Sequence, residues 1–140
     1  MYKNFRTDPT VESQGVVLEY GDFRVTVARS GGGNRAFARA LETKTQPYRR
    51  AIATGTMDAE RSLQIYHEVF AEAVIRNWEV KVDGEWKQGI EAPDGSVLPY
   101  TRENVLATFK ALPDLFIDIK EQSERTRLFL ADVREAEGKN

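Results

Sequence analysis

A chain of 140 residues, 41% hydrophobic and 30% charged, has the length and composition of one globular domain with its own core. It has no cysteine, which excludes disulfides, thiolate metal sites and cysteine nucleophiles. No apolar run approaches the roughly 20 residues of a membrane span, and residues 1–10 lack the apolar stretch of a signal peptide. We therefore expect an intracellular protein.

Charge is polarised along the chain, although the formal net charge is only -2. Residues 24–50 contain seven bases and one acid, whereas residues 58–103 contain ten acids and five bases. Opposed segments of this kind suit steering toward a charged partner or head-to-tail self-association. The alternative is that the two segments neutralise each other within one fold.

The first predicted element is a β-hairpin with Gly21-Asp22 as its two-residue loop. The opposed pairs are then Tyr20 with Phe23, Leu18 with Val25 and Val16 with Val27. All six side chains lie on one apolar face. A lone hairpin is unstable in water, so this face is expected to rest on helices.

The glycine run Gly31–Gly33 is typical of a loop that binds phosphate at the start of a helix. A Walker loop requires Lys and then Ser or Thr after the last glycine, but Asn34 and Arg35 follow here. The glycine spacing does not match the dinucleotide-binding fingerprint either. We interpret the run as a flexible connector from strand to helix, with an anion site as the alternative and Asn34 as the helix N-cap.

Three helices are predicted after the glycines. A short one follows Asn34, and a second begins at Pro47 and is closed by Gly55. The third and longest begins at Thr56 or Asp58 and spans roughly twenty residues. Its apolar stripe consists of Leu63, Tyr66, Phe70, Ala73, Val74 and Asn77.

Residues 79–98 are predicted to form a weak hairpin or a mobile loop, because an Asp83-Gly84 turn would pair Val80 with Lys87 on a mixed face. Thr101 then caps a further helix. Pro113 begins a last long helix that the pattern extends to residue 137. The predicted fold is therefore α+β and mainly α-helical, with the N-terminal hairpin packed on about four to five helices. It forms a single domain, 1–140, with about ten flexible residues at the N-terminus and about five at the C-terminus.

His67 is the only histidine and lies in the segment HEVFAE. That segment lacks the second histidine which a metalloprotease helix needs to hold zinc. A histidine at the edge of an apolar stripe is typical of packing. We predict no metal site, no cofactor and no catalytic residue, and hence no enzymatic activity.

The basic segment Arg24–Arg50 supports an alternative function, a small nucleic-acid-binding or regulatory protein, because Phe37 and Tyr48 are interleaved with its arginines. The acidic net charge and the lack of a helix-turn-helix or RNA-binding motif argue against nucleic acid as the partner.

The chain also carries a series of segments in a characteristic order: FRVTVARSGGGNRAFARAL, QPYRRAIATGTMDAE, YHEVFAEAVIRNWEV, SVLPYTRENVLATFKALPDLFIDI and a closing LFL. The series covers residues 17–130 and resembles the tail assembly chaperones of long-tailed, siphovirus-type bacteriophages and prophages. It departs from their pattern at Gly31–Gly33, where one glycine is usual, and at Asn77, where an acid is common.

This resemblance implies a non-catalytic protein of the host bacterial cytoplasm that is absent from the finished virion. Such a protein binds the long, helical tape-measure protein and keeps it soluble until tail tube protein replaces it. The resemblance also implies a longer form made by a -1 frameshift, which would recruit the tail tube protein. Residues 137–140 can be encoded by a slippery run.

Self-association is expected, since many copies would lie along an extended client. The predicted contact residues are Arg35, Arg39, Tyr48, Arg49, Arg50, Phe129 and Leu130. For Phe129 and Leu130 the alternative is a place in the core.

Overall fold

The structure is a computed structural model and describes residues 1–131. The helices are α1 (Tyr2–Phe5), α2 (Pro9–Gln14), α3 (Arg35–Thr45), α4 (Arg49–Ala53), α5 (Ala59–Ala73), α6 (Arg102–Ala111) and α7 (Pro113–Glu124). The strands are β1 (Val16–Glu19), β2 (Phe23–Val27), β3 (Ile75–Val82), β4 (Glu85–Gln88), β5 (Ile90–Glu91) and β6 (Val97–Leu98). Short 3₁₀ helices span Gln46–Tyr48 and Thr126–Phe129. The predicted α+β fold is confirmed.

The predicted N-terminal hairpin is confirmed in its register, with Val16 opposite Val27 and Leu18 opposite Val25. It is half of a larger antiparallel sheet with the strand order β1-β2-β3-β4. The sheet puts its apolar face against the helices and its polar face outward, as the alternation along the first two strands predicts.

The helix predicted over residues 58–77 is wrong at its C-terminal end. Helix α5 ends at Ala73, and strand β3 begins at Ile75 and pairs with β2, so that Trp78 lies opposite Val25. Without β3, strand β2 would leave a row of unpaired backbone N–H and C=O groups beside the core. Backbone pairing with β2 therefore outweighs the helical spacing of the apolar residues in this segment.

Residues 79–98 are ordered as two hairpins, so the hairpin interpretation of this stretch is confirmed. Val80 lies opposite Lys87 in the β3–β4 pair, which is the predicted register. The φ angles of Asp83 and Gly84 are 52° and 82°, and a two-residue hairpin turn needs this positive pair. Strands β5 and β6 form the second hairpin.

The predicted last long helix is also wrong in its second half. Helix α7 begins at Pro113 as predicted but ends at Glu124, where Arg125 is extended and a 3₁₀ turn follows. The chain turns back and buries Phe129 completely. Continuing the helix across its polar interruption would have left that ring in water. The end of the predicted helix, after residue 131, lies outside the described residues.

Two predicted helix caps are confirmed. The Asp58 side chain accepts a hydrogen bond from the Arg61 N–H at 3.0 Å, and Thr101 Oγ1 accepts one from the Asn104 N–H at 3.2 Å. Such bonds satisfy N–H groups that have no partner within the helix.

The first ten residues, predicted to be flexible, contain α1 and the start of α2. Asp8 caps α2 by accepting from the Thr10 N–H at 2.9 Å, and Thr7 forms a β-bridge with Leu130. The flexibility of this segment and the single-domain organisation stay predictions. The predicted flexible C-terminal residues lie outside the described part of the chain.

The main core lies between the sheet and helices α5, α6 and α7. At its centre the ring of Phe116 is 5.2 Å from that of Phe70 and 4.9 Å from that of Phe109, both edge to face. A smaller apolar cluster that includes Ala40 and Ile65 joins α3 to another side of α5. Helix α5 therefore packs against the main core on one side and against α3 on another.

Candidate partner-binding surfaces

The glycine loop between β2 and α3 is built around a buried ion pair. Arg29 Nη1 donates to Glu12 Oε2 at 2.6 Å, and Glu12 Oε1 accepts from the Thr7 hydroxyl at 3.0 Å. Glu12 is only 2% exposed. A Cβ on Gly32 would collide with the carboxylate of Glu12 and lie 2.9 Å from Arg29 Nη1. The glycine is required because the ion pair fills the space beside it.

Asn34 takes the predicted N-cap position of α3, which begins at Arg35, but its side chain makes no capping hydrogen bond. Its Nδ2 instead donates to the backbone carbonyls of Arg29 and Ala73, both at 2.8 Å. The loop also joins α7, because the Ser30 N–H donates to the Ser123 carbonyl at 3.0 Å. The polar groups of the loop are thus used within the protein, and the buried Glu12 carboxylate repels a phosphate. This geometry supports the connector interpretation.

His67 is buried in the aromatic core, with its ring 4.5 Å from that of Phe116 and 5.6 Å from that of Phe109. Burial lowers the pKa of His67, because the charged imidazolium is poorly solvated there. Among residues 1–131, no three His, Asp or Glu side chains are grouped so that they could hold a metal ion. The position of His67 supports its packing interpretation.

Three bases of the segment Arg24–Arg50 face acids of the same chain. Arg24 Nε is 2.8 Å from Glu79 Oε1, Arg29 pairs with Glu12, and Lys44 Nζ lies 3.9 Å from Glu68 and 4.0 Å from Glu72. Four exposed arginines form no ion pair with any residue that the structure describes: Arg35, Arg39, Arg49 and Arg50. The two charged segments therefore neutralise each other in part only.

Two of these arginines, Arg49 and Arg50, belong to helix α4, whose Ile52 lines an apolar notch between the end of α3, helix α4 and the start of α5, which we call the α4 notch. Its volume is about 280 Å³, and its apolar lining consists of Leu41, Ile52, Met57, Ile65 and Tyr66. At its mouth Ile52 is 49% exposed. Arg49 precedes Ile52 by three residues on α4, so the two side chains share a helix face.

The structure separates the other predicted contact residues. Tyr48 is half-buried against the cluster that joins α3 to α5, and the Arg61 guanidinium lies 5.9 Å from the centre of its ring. Arg35 and Arg39 lie in the first half of α3, away from the residues that line the notch. For Phe129, which is fully buried, the burial supports the core alternative; Leu130 is half-buried.

Sequence reasoning missed part of the exposed apolar surface. Leu63 and Tyr66 were assigned to the buried stripe of α5, but they are 48% and 36% exposed. Both lie on the same face of α5 as Phe70, which follows Tyr66 by one turn and Leu63 by two turns. On this face of α5 only the later turns are covered, although Ile65 on an adjacent face is buried against α3, and periodicity within one helix carries no information about where its neighbours end.

A second apolar surface, which we call the apolar groove, runs between the β5–β6 hairpin and helix α6. Its volume is about 410 Å³. The floor is formed by Phe23, Trp78 and Val80. One wall belongs to the hairpin, and the other contains Ala107, Ala111 and Leu112. Leu112 is 52% exposed at its edge. No residue of this groove was predicted from the sequence, because the wall and floor come from distant segments.

Within residues 1–131 no helix has the length and apolar character needed to cross a membrane. A family model described as YdaY prophage protein matches residues 32–140, which is more than half of the chain. Comparison with curated proteins and with solved structures gives no match. The family match begins inside the glycine loop and includes every residue that lines the α4 notch.

Proposed function

The chain belongs to the YdaY prophage protein family, and we propose that it acts in phage tail assembly as a non-catalytic chaperone of the tape-measure protein. The family places it among prophage proteins, and the order of its sequence segments resembles that of tail assembly chaperones. The observation that carries the proposal is the α4 notch, an open apolar site whose Ile52 lies on the same short helix as Arg49 and Arg50, two arginines with no acidic partner among the described residues.

The notch suits one face of a helix. Amphipathic helices bind to grooves through apolar side chains spaced three and four residues apart. A client helix would insert one or two such side chains between Ile52 and Tyr66 and place acids against Arg49 and Arg50. Arginine can hold a carboxylate through two parallel hydrogen bonds, so it adds specificity to the apolar contact.

The small size of the notch indicates a weak contact for each copy. A chaperone that covers a very long helical client gains affinity from many copies rather than from one large interface. Weak individual contacts also allow tail tube protein to replace the chaperone step by step. In this proposal the protein works in the host bacterial cytoplasm, is absent from the virion, and has a frameshifted longer form that recruits the tube protein. The residues concerned by the frameshift lie outside those described.

Co-expression with the tape-measure protein of the same prophage tests the function. We expect the wild-type chain to move the tape-measure protein from the insoluble to the soluble fraction and to co-purify with it. A tape-measure protein that stays insoluble, or stays soluble without bound chaperone, would contradict the proposal.

Substitution at the notch tests where the client binds. Ile52→Asp, and separately Arg49→Glu with Arg50→Glu, should abolish co-purification. Ile117→Asp is the matched control, because Ile117 is 50% exposed on α7, close to the 49% of Ile52. Arg127→Glu is the control for charge. Equal loss of client in the controls would rule out the notch as the binding site.

Nucleic-acid binding by the segment Arg24–Arg50 has weaker support. Arg24, Arg29 and Lys44 already face carboxylates, and the four remaining arginines divide between α3 and α4. A phosphate backbone needs a continuous row of bases. A mobility shift that weakens steeply with salt and depends on Arg49 and Arg50 would favour this alternative.

A further inference from the structure

The first six residues form a short exposed arm, which we call the aromatic arm. In helix α1 Tyr2 is 75% exposed and Phe5 is 72% exposed. The two residues are three positions apart, so their rings lie on the same side of the helix. Two large aromatic side chains together in water indicate a surface that another molecule covers.

The base of this arm is fixed to the rest of the protein. The Ala131 N–H donates to the Arg6 carbonyl at 3.0 Å, and the Asp8 N–H donates to the Phe129 carbonyl at 2.9 Å. These backbone bonds hold the arm at a defined position while its aromatic side remains exposed. An arm held in this way loses less conformational entropy on binding than a free peptide does.

The apolar groove has the shape that such an arm needs. Its volume of about 410 Å³ lies within the roughly 300–1,000 Å³ range of sites that enclose organic groups. Ala107 and Ala111 are one turn apart on α6, and their small side chains leave room for rings to approach the helix. The lining is almost entirely apolar, with Glu91 as its one charged residue.

The charges of the arm and the groove are complementary. The arm contains Lys3 and Arg6 and no acid. Glu91 lines the groove. In the sequence, Asp94, Glu103 and Asp114 directly adjoin lining residues of the β5–β6 hairpin, α6 and α7, against one base there, Lys110. The rim is therefore net acidic where the arm is basic, an arrangement that selects and orients a partner.

We propose that the aromatic arm of one copy docks in the apolar groove of a second copy. Because the two surfaces differ, the contact is head to tail, and an open assembly has a free arm at one end and a free groove at the other. Repetition of the contact produces a chain or a closed ring of copies. This inference goes beyond the proposed function, because it concerns contacts between copies of the chain and leaves the α4 notch free.

Sedimentation velocity of the full chain over a range of concentrations tests the proposal. The wild type should form assemblies that grow with concentration and weaken with salt, because the contact has a charged component. The double variant Tyr2→Ser, Phe5→Ser removes both exposed rings of the arm, and its self-association should be at least about tenfold weaker than that of the wild type. Ala107→Trp should fill the groove and have the same effect. Circular dichroism checks that each variant is folded, and Leu112→Asp replaces Ala107→Trp if that variant fails to fold.

A mixture of the two variants is the decisive measurement. The arm variant keeps a working groove and the groove variant keeps a working arm, so together they should form a 1:1 dimer and nothing larger. Val17→Ser is the matched control, because Val17 is an apolar residue that is 50% exposed elsewhere, and it should associate like the wild type.

Three results would overturn the proposal. The first is a wild type that is monomeric at every concentration. The second is an arm variant that associates as strongly as the wild type, which would show that the aromatic arm does not occupy the groove. The third is a mixture of arm and groove variants that stays monomeric, which would exclude a contact between these two surfaces.

Discussion

The α4 notch and the apolar groove are both open apolar surfaces of one small protein, but they differ in the charge that lies near them. Arg49 and Arg50 share helix α4 with Ile52 of the notch, whereas Glu91 lines the groove. Apolar lining alone would make the two surfaces interchangeable. In our two proposals this difference in charge selects the partner of each surface, because a like-charged segment is repelled where an oppositely charged one is held.

The largest expected effect on the free energy of unfolding is that of a substitution in the hydrophobic core, on which both surfaces are built. Phe70 is 1% exposed and contacts both Phe37 and Phe116 through its ring. Phe70→Ala should lower the free energy of unfolding by about 3–5 kcal/mol, because it removes buried ring atoms and leaves a cavity. Urea denaturation measures the change, and both client binding and self-association should be lost together.

Ile117→Ala is the control for this experiment, since Ile117 is half exposed. Its effect on unfolding should be less than about 1 kcal/mol. A Phe70→Ala protein that unfolds like the wild type would show that the packing on the two sides of α5 does not depend on this ring.

The buried ion pair beneath the glycine loop should distinguish the two surfaces. Glu12→Leu leaves the guanidinium of Arg29 without its carboxylate and should destabilise the fold by about 2–3 kcal/mol. Helix α3 begins at this loop and lines the notch but not the groove. Client binding should therefore suffer more than self-association, as co-purification and sedimentation can measure.

The double variant Glu12→Leu, Arg29→Met is the matched comparison. Removing both charges eliminates the unpaired buried ion, so much of the lost stability should return. If the double variant is no more stable than Glu12→Leu alone, the destabilisation has a cause other than the unpaired arginine.

Two single truncations should separate the surfaces directly. Ile52→Ala should weaken client binding about tenfold, or about 1.4 kcal/mol, and leave self-association unchanged. Leu112→Ala should weaken self-association and leave client binding unchanged, because Leu112 lies at the edge of the groove. Titration calorimetry with a client peptide and sedimentation velocity give the two affinities. Truncations that each weaken both affinities would show that the surfaces form a single site.

The smallest effect should be that of pH. The pKa of His67 is lowered by burial from its ordinary 6.5, so the unfolded chain binds a proton that the folded chain does not. The free energy of unfolding should therefore be independent of this group above pH 6.5 and fall as the pH decreases from 6.5 to the lowered pKa.

Thermal unfolding from pH 7.5 to 5 measures this slope, and His67→Leu should flatten it. An unchanged slope in the variant would assign the acid sensitivity to carboxylates elsewhere.

Local patterns predicted the elements whose partners are near in sequence. The register of the first hairpin follows from its Gly21-Asp22 turn and alternating side chains. The caps at Asp58 and Thr101 and the helix start at Pro113 follow from the chemistry of single residues. Each of these features is decided within a few positions along the chain, so the information was present in the sequence.

The incorrect predictions concern segments whose structure depends on distant neighbours. The segment after Ala73 leaves the helix because β2 needs a strand beside it, and the chain after Glu124 turns back because the core takes up Phe129. Asn34 has the predicted N-cap position, but its amide binds the Ala73 carbonyl and makes no capping bond. In every case a contact over a long sequence separation was stronger than the local preference.

The candidate surfaces were only partly predictable for the same reason. Exposed arginines at Arg49 and Arg50 follow from composition, but which bases remain unpaired depends on the acids that the fold brings to Arg24, Arg29 and Lys44. The notch and the groove are spaces between elements, and no stretch of sequence contains the whole of either.

By itself the sequence determined an α+β fold with a fixed first hairpin, defined helix starts and a strongly divided charge, because these properties come from turns, caps and composition. Only the tertiary structure decided which apolar side chains stay in water and which charges stay unpaired. Burial and ion pairing are relations between distant residues, and they exist only once the chain has folded.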